Sequence, residues 1–328
     1  MLGSRMSLNS LEDAAYTVES SGSLLKVDLG TGNRLVTYDN ESRGTGQVMA
    51  PLSIALNKME TKMIYLDGPA ALSSVDLLSG DRNVLSSGSI GSGPSIINAS
   101  NIALDKELDQ VYIVSEFERN ILKVDLFSSN RSIVSDIAVG SGPTMLMPKD
   151  IILYPNGEKA IVLDSVTSNL LQVDLNNGNR TLLTTVSGAV MPNSICADFE
   201  SNKIFVFSGG NGTLIEVDLD TLLSSVVSSN SIGSGPEFGF IFSGNLELSP
   251  DRYKIYLVED GALPGSVMSV DLTTGNRTRL FVKGSVNDIV FSNKYDLVYS
   301  ADVGGSSLRA HLTGDFYKTS LISKASAH

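Results

Sequence analysis

The stretch from Leu170 to Leu183, LLQVDLNNGNRTLL, is the unit from which this sequence is built. In LLQVDL, apolar and polar residues alternate at period two, which is typical of a half-buried strand. The NNGNR segment supplies the Asn and Gly residues that accept the positive φ of a tight hairpin turn. A short β-branched run, RTLLTTV, then returns. The unit therefore predicts two antiparallel strands joined by a turn.

Six further versions of this unit occur along the chain. They are LLKVDLGTGNRLV from Leu24, LSSVDLLSGDRNVL from Leu72, ILKVDLFSSNRSIV from Ile121, LIEVDLDTLLSSVV from Leu214, VMSVDLTTGNRTRL from Val267 and a degenerate SLRAHLTGDFYK from Ser307. The Asp of each VDL recurs at intervals of 44 to 53 residues, and His311 occupies its place in the last copy. A period of this size with strand-like content indicates a propeller or another repeat array.

Within the unit, an Asp and an Arg recur together, as in Asp125 with Arg131 and Asp174 with Arg180. The Asp is predicted to hold the turn, either by accepting backbone hydrogen bonds or by pairing with the Arg fork. A residue that recurs in six of the seven units cannot mark a single active site. We therefore interpret this Asp as structural.

A second pair of strands precedes each unit, for example NIALD and VYIVSE on either side of a turn at 106–110. Four strands in each of seven units predict an all-β fold, a seven-bladed β-propeller with four antiparallel strands per blade. We expect one domain over residues 1–328. The innermost strands are predicted to open near residues 5, 53, 101, 150, 194, 245 and 288.

The pattern I-x-L-D, then Y-x-x-[SD], then L-x-x-V-D-L-x-x-G-N-R resembles the NHL, YVTN and gluconolactonase-like propeller repeats. The spacer GSGP, at 91–94, 140–143 and 233–236, is similar to repeats in secreted or periplasmic bacterial proteins. The resemblance implies a propeller fold and a periplasmic or extracellular location. The opening MLGSRM is more like an expression remnant than a signal peptide, so we expect the native export signal to be missing.

Composition excludes several classes of function. With 24 Lys and Arg against 36 Asp and Glu, the net charge of −12 disfavours nucleic acid and anionic membranes as partners. A single cysteine, Cys196, allows no intrachain disulfide and no cysteine zinc site. Two histidines make a Ser-His-Asp triad improbable. No apolar run has the length of a membrane span. We expect the protein to be a monomer.

The residues that open the innermost strands are predicted to form a ring of polar groups at the channel mouth. They are Ser53, Asn101, Asp150, Ser194, Asn245 and Asp288. Oxygen ligands of this kind suit calcium, and gluconolactonase-like enzymes resemble this arrangement. Asp150, Asn245 and Asp288 are therefore candidate ligands of Ca²⁺. A ring of polar groups filled with water is the alternative.

Carboxylates also end most of the second strands, at Glu19, Asp67, Glu116, Asp164, Glu259 and Asp302. Their recurrence favours a structural or solvating role. Glu116 and Arg119, in the loop EFERN, depart furthest from the repeat and are therefore candidate ligand-binding residues.

The loops expected at the channel mouth are unusually apolar. They contain Met49, Ile96, Ile97, Met145, Leu146, Met147, Met191, Phe238, Phe240, Ile241 and Phe242. Such side chains either offer an adaptable surface to an apolar partner or seal the core between blades. The sequence leaves both interpretations open.

These observations favour a binding propeller of an exported bacterial protein, which holds a small molecule or a protein at the channel mouth. The alternative is a calcium-assisted hydrolase or lactonase with its ion at the same mouth. Whether the protein is an enzyme is left open, and the catalytic residues and the ligand are not specified by the sequence.

If the repeated Asp is structural, the change Asp174→Ala should lower the free energy of unfolding by about 1–3 kcal/mol, because the turn loses its acceptor. Ligand binding should survive. Urea denaturation of the variant measures the loss, and a stable variant that no longer binds its ligand would contradict a structural role.

Overall fold

The computed structural model describes residues 6–18, 23–29, 31, 33–38, 44–47, 51–68, 70–239, 245–249, 251–259, 266–282, 286–292, 297–302, 308–312 and 320–321. These residues form strands, turns and loops, and no helix occurs among them. The predicted all-β class is confirmed. Accordingly, these residues contain no helix with the length and apolarity needed to cross a membrane.

The strands pair in seven sheets, numbered here in chain order. Sheet 1 is β1 (Met6–Leu8), β2 (Ala14–Val18), β3 (Leu24–Asp28) and β4 (Arg34–Tyr38). Sheet 2 is β5 (Pro51–Leu56), β6 (Lys62–Asp67), β7 (Ala71–Asp76) and β8 (Arg82–Ser86). Sheet 3 is β9 (Ala99–Asp105), β10 (Gln110–Ser115), β11 (Asn120–Asp125) and β12 (Arg131–Ser135). Sheet 4 is β13 (Pro148–Leu153), β14 (Lys159–Asp164), β15 (Asn169–Asp174) and β16 (Arg180–Thr185).

The last three sheets have the same strand order. Sheet 5 is β17 (Pro192–Asp198), β18 (Lys203–Ser208), β19 (Thr213–Asp218) and β20 (Ser224–Ser229). Sheet 6 is β21 (Leu246–Leu248), β22 (Lys254–Glu259), β23 (Ser266–Asp271) and β24 (Arg277–Val282). Sheet 7 is β25 (Val286–Ser292), β26 (Leu297–Asp302), β27 (Leu308–Leu312) and β28 (Ser320–Leu321).

Every sheet is an antiparallel meander, which confirms the prediction of four antiparallel strands per unit. The first strand of a sheet therefore begins at the edge where its second strand ends and its third begins. We call this the mouth edge, and it includes 115–120 and 164–169. The far edge carries the hairpins at 9–13, 57–61 and 105–109 and the turns at 76–81 and 125–130.

The core lies between neighbouring sheets. The second strands are buried on both faces, as in β14 and β18, because each sheet is packed between two others. The cluster shared by sheets 3 and 4, for example, contains Tyr112, Ile121, Val162 and Leu171. Apolar burial between sheets is the main favourable contribution to such a repeat array.

The predicted count of seven packed blades is corrected to six. Sheets 1 to 6 share five core clusters, one between each successive pair. Sheet 7 is described by its backbone pairing alone, with β25 next to β21 and β1. It ends in the two-residue strand β28, which pairs with β27 at only two positions. The reason lies in the last repeat, which has lost the Asp and Arg that define the turn elsewhere.

The Asp of the VDL unit holds its turn through backbone amides. Asp174 Oδ1 accepts from the amides of Asn176 at 2.9 Å and Asn177 at 3.2 Å. Asp125 Oδ1 likewise accepts from the Ser128 amide at 2.7 Å. These bonds hold the pKa of Asp125 below its ordinary value, since they stabilise the carboxylate. Of the two predicted modes, the structure shows backbone capping.

The Arg of the unit binds the loop that enters its own sheet, which we call the entry loop. Arg180 Nε donates to the carbonyl of Pro143 at 2.6 Å, and Nη1 donates to Val139 O at 3.1 Å. Arg180 Nη1 also reaches the Ser135 hydroxyl on the last strand of the preceding sheet. Arg131 and Arg277 repeat these contacts in sheets 3 and 6. The guanidinium therefore ties each of these sheets to its predecessor.

This contact explains the GSGP spacer. Gly142 has φ of 105°, and a Cβ there would lie 1.9 Å from the carbonyl oxygen of Arg180. The side chain of Asn179 accepts from both the amide and the hydroxyl of Ser141, at 2.8 and 2.9 Å. The spacer is thus the docking partner of the NR pair in the following turn. Sheet 5 has Ser224 in place of the Arg, and its entry loop, SGAVM, lacks GSGP.

Gly142→Ala should lower the free energy of unfolding by about 3 kcal/mol or more, because positive φ and a backbone clash act together. Gly188→Ala is the matched control: its φ is 81°, but the nearest heavy atom to a Cβ is Val226 Cγ2 at 4.0 Å. It should cost about 1–2 kcal/mol from φ alone. Equal losses in urea denaturation of the two variants would contradict the close docking of the spacer.

Candidate functional site

Five of the six predicted ring residues lie at β-bulges in the innermost strands, and Asn245 lies just before β21. In β5, β13 and β17 the pairing register shifts between the first and third residues, so Leu52, Lys149 and Asn193 are extra residues. A bulge bends the strand and changes where the neighbouring side chains point. Asp150 and its counterparts therefore come directly after a bulge at the mouth edge of each strand.

The structure brings four of the predicted ring residues together in one hydrogen-bonded chain. Ser53 Oγ donates to Asn101 Oδ1 at 2.9 Å, and Asn101 Nδ2 donates to Asp150 Oδ1 at 2.7 Å. Asp150 Oδ2 accepts from Ser194 Oγ at 3.4 Å. The chain crosses four consecutive sheets. These polar groups bind one another, and the ring is in this part a structural joint between sheets.

Asp150 is the centre of this chain. Its Oδ1 also accepts from the Ile151 amide at 2.8 Å, and its Oδ2 accepts from the Ile195 amide at 3.0 Å. Burial raises the pKa of Asp150 above its ordinary value, and the four donors oppose that rise. A buried carboxylate with both oxygens engaged has little capacity left for a ligand.

The calcium hypothesis stays a prediction. Asn245 is described at the start of sheet 6, while the side chain of Asp288 lies outside the described residues. Among the described side chains, no three of Asp, Glu, His or Cys lie close enough together to hold a metal ion. A cation at Asp150 would have to displace donors that already occupy both oxygens.

Glu116 and Arg119, which the sequence groups together, have different environments. Glu116 is 2% exposed, and its Oε1 accepts from Lys149 Nζ at 3.1 Å, across sheets 3 and 4. Its Oε2 is buried and has no hydrogen-bond partner among the described residues. Arg119 is exposed in the turn with φ of 55°. The bulge residue Lys149 is the functional neighbour of Glu116 that sequence reasoning missed.

Of the carboxylates predicted at the ends of second strands, Asp164 organises two loops and Asp67 bonds to the next strand. Asp164 Oδ2 accepts from the Met147 amide at 2.9 Å, and its Oδ1 accepts from the Thr167 amide at 3.0 Å. Asp67 Oδ2 accepts from Ser73 Oγ at 3.5 Å. Glu19 and the side chains of Glu259 and Asp302 lie outside the described residues. In sheet 3 the strand ends at Ser115, so Glu116 lies one position beyond this series.

The apolar loop residues divide into two groups, so both interpretations of the sequence apply. Ile96, Met145 and Phe238 are buried in the core clusters between sheets. The next residues, Ile97 and Leu146, are exposed, as is Met191. Met147 is half-buried. Met49, Phe240, Ile241 and Phe242 lie outside the described residues.

The exposed members belong to a larger surface on three adjacent sheets, which we call the mouth arc. It consists of six exposed apolar side chains on the mouth edge: Ile97, Phe117, Leu146, Val166, Val190 and Met191. Phe117, Val166 and Val190 were not among the sequence candidates. Phe117 and Val166 each stand among polar residues in their loops, Val190 is followed by Met191, and the order of the sheets places all three on the same edge.

The entry loop of sheet 5 is held on the mouth edge. The Val190 amide donates to Ser208 Oγ at 2.6 Å, and Asn211 Nδ2 donates to Gly188 O at 2.8 Å. This replaces the Arg contact that holds the entry loops of sheets 2, 3, 4 and 6. Met191 is 66% exposed and has φ of 49°, where the corresponding residue of sheet 3 is Asn98, with the same φ. A long side chain in this left-handed conformation is strained.

Asp150→Asn should lower the free energy of unfolding by about 1–3 kcal/mol, because buried donors lose their acceptor. Since the folded-state pKa of Asp150 is raised, its protonated form favours folding, and wild-type stability falls as pH rises above about 3.9. The difference in the free energy of unfolding between wild type and Asp150→Asn should therefore widen as pH falls from neutrality. Urea titrations at several pH values measure it.

For Asp125→Asn, the difference in stability from the wild type should depend on pH in the opposite direction. The pKa of Asp125 is lowered in the folded state, so its contribution to stability is present at neutral pH and is lost as pH falls. The difference in the free energy of unfolding between wild type and Asp125→Asn should therefore narrow as pH falls. Parallel pH profiles for the two variants would contradict the assignment of Asp150 as a carboxylate whose ionisation is penalised by burial.

No family model matches the chain, and no curated protein matches it. Solved structures do resemble it. One is from the crystal structure of a nidogen/laminin complex, with 14% identity, 82% of this chain and 93% of that chain covered, and a TM-score of 0.57. Another is the extracellular domain of a one-component system of Bacteroides thetaiotaomicron, with 13% identity, coverage of 90% and 38%, and a TM-score of 0.62.

A third similar structure is a Bacteroides fragilis protein assigned as a 6-phosphogluconolactonase. It has 14% identity, coverage of 98% of this chain and 94% of that chain, and a TM-score of 0.62. At these identities the likeness shows the fold alone. The propeller resemblance that the repeats indicated is confirmed at that level: this chain has the β-propeller fold.

Proposed function

We propose that this protein is a binding propeller that holds an apolar segment of a partner protein against the mouth arc. The observation that carries the proposal is the set of exposed apolar side chains on one edge of three adjacent sheets. Side chains of this kind, clustered on a rigid scaffold, mark interaction surfaces. The polar ring beside them is engaged in its own hydrogen bonds, so recognition rests on the arc.

The charge of the arc indicates an uncharged occupant. The loops that carry it contain three acidic residues, Glu116, Glu118 and Asp136, and one basic residue, Arg119, and Lys149 adds a second cation from the adjoining strand β13. Glu116 and Lys149 neutralise each other in a buried pair. A segment with apolar side chains and little net charge fits this surface better than a charged ligand or a nucleic acid.

The strain at Met191 supports a functional role for the arc. Sheet 3 uses Asn98 at the corresponding position, and Asn adopts positive φ at lower cost. A sequence selected for stability alone would favour Asn there. An exposed Met in that conformation offers contact area to a partner instead.

Export from a bacterial cell is part of the proposal, and the resemblance of the GSGP repeats to secreted proteins supports it. The lactonase alternative would place its ion at Asp150, whose two oxygens already accept four hydrogen bonds, so we favour binding.

Peptides selected from a random display library on the immobilised protein provide the test. Those with apolar, uncharged sequences should bind the wild type and lose about tenfold or more in affinity on Phe117→Asn with Met191→Asn, because the two most exposed side chains of the arc are removed. Met191→Asn alone should raise the free energy of unfolding by about 0.5–1 kcal/mol while weakening binding, because strain is relieved.

Leu182→Asn is the matched control, since Leu182 is exposed on the outer strand β16. It should leave peptide affinity unchanged. Retention of full affinity by the double variant, or failure to select any apolar peptide, would overturn the proposal. Calcium titration calorimetry tests the enzyme alternative. A binding heat in the wild type that is absent from the double variant Asp150→Asn with Asp288→Asn would favour that alternative instead.

A further inference from the structure

The far edge of sheets 1 to 3 carries a second apolar surface, which neither the repeat pattern nor the mouth arc explains. It consists of five exposed side chains: Leu11, Met59, Leu78, Leu108 and Phe127. Phe127 is 98% exposed and Leu78 is 85% exposed. We call this set the far patch. Large side chains so fully in water contribute nothing to folding and are costly for solubility.

Contacts between successive hairpins show that the far patch is continuous. The Ser10 amide in sheet 1 donates to Glu60 Oε1 in sheet 2. Lys58 Nζ of sheet 2 pairs with Glu107 Oε2 of sheet 3 at 2.5 Å. The hairpins that present Leu11, Met59 and Leu108 are therefore neighbours.

Each hairpin is also bonded to the turn of its own sheet. The amide of Leu77 donates to Thr61 O at 2.9 Å, and the amide of Leu126 donates to Asp109 O at 3.0 Å. The turns next to these amides carry Leu78 and Phe127. The far patch thus extends outward from the hairpins near the channel to the turns near the rim.

Sheet 4 shows that the far patch is a local departure from the repeat. Where sheets 2 and 3 have Leu78 and Phe127, two residues after the VDL Asp, sheet 4 has Asn176. The turn geometry is the same, because Asp174 accepts from the Asn176 amide as Asp125 does from the Phe127 amide. The turn therefore does not require an apolar residue at this position.

The surroundings of the far patch are strongly acidic. The segments 9–13, 28–33, 57–61, 76–81, 105–109 and 125–130 contain ten carboxylates and two lysines, and Lys62 and Lys123 add cations beside Asp76 and Asp125. Turn amides hold the pKa values of Asp76 and Asp125 below their ordinary range, so these carboxylates stay charged in mild acid. One of the two lysines, Lys58, is already paired with Glu107.

We propose that the far patch docks a basic segment of a partner protein in which apolar side chains alternate with Lys or Arg. The apolar residues bury against Leu78, Phe127 and Met59. The cations meet the surrounding carboxylates, which speeds association and selects against acidic partners. This site is independent of the mouth arc, from which it differs in charge and in position.

A short synthetic peptide of alternating Lys and Leu is the probe, and fluorescence anisotropy with the intact protein measures its affinity. The double variant Leu78→Asn with Phe127→Asn should lose about tenfold or more in affinity, since the most exposed anchors are removed. Its fold should persist, because Asn stands at the same position in sheet 4. Added salt should weaken binding to the wild type.

Thr273→Asn, the equivalent exposed position of sheet 6, is the matched control and should leave affinity unchanged. A peptide of alternating Lys and Ser tests for charge alone, and one of alternating Glu and Leu tests for apolar contact alone. Equal binding of the Lys–Ser peptide, or an unchanged affinity in the double variant, overturns the proposal. Self-association that the double variant abolishes would assign the far patch to a second copy of the chain and also overturn it.

Failure here is distinguishable from failure at the mouth arc. The Phe117→Asn with Met191→Asn protein should bind the Lys–Leu peptide as the wild type does. If that variant loses the basic peptide and the far-patch variant keeps it, both segments bind at the mouth edge and the far patch has no such role.

Discussion

The hydrogen bonds between an arginine and the entry loop of its own sheet are the interaction on which the order of this propeller depends. A four-stranded sheet cannot bury both of its faces alone, so each sheet is stable only against its neighbours. Apolar packing supplies the free energy of that association, but this free energy changes little when one sheet shifts slightly against the next. Arg180 fixes the position of one sheet against the other, because its planar guanidinium reaches both the entry loop and Ser135 of the preceding sheet. Fixed geometry of this kind is what a point charge such as Lys lacks.

Sheet 5 shows the consequence of losing that arginine. Its entry loop has no GSGP spacer and is bonded to Ser208 and Asn211 on the mouth edge. The same loop carries Val190 and the strained Met191. The loss of a structural contact and the gain of an exposed apolar surface thus occur in one segment. This coincidence connects the architecture of the array to its proposed binding surface.

The composition of the polar ring suggests a ligand site, and the composition of the apolar loops suggests a buried core. The contacts of the described residues differ from both expectations. Oxygen-rich side chains near a channel mouth are typical of ion and sugar sites, yet Ser53, Asn101 and Asp150 use their polar atoms on one another. Between sheets they act as a joint. The exposed surface is instead apolar on both edges, with little net charge at the mouth and acidic at the far edge. The two proposed occupants differ accordingly, one uncharged and one basic.

The sequence by itself determined the all-β class, the four strands of each unit and the turn-holding role of the VDL Asp. Each of these depends on local periodicity or turn chemistry, which short segments carry. The seventh packed blade was predicted wrongly, because the last repeat lacks its Asp and Arg. Only the tertiary structure decided that Arg180 binds the loop at 139–143, and that Ile96 is buried while Ile97 is exposed. It also decided that both carboxylate oxygens of Asp150 are engaged in hydrogen bonds across sheets. These are contacts between residues of different sheets, and their geometry depends on how the sheets pack rather than on the residues adjacent in the chain.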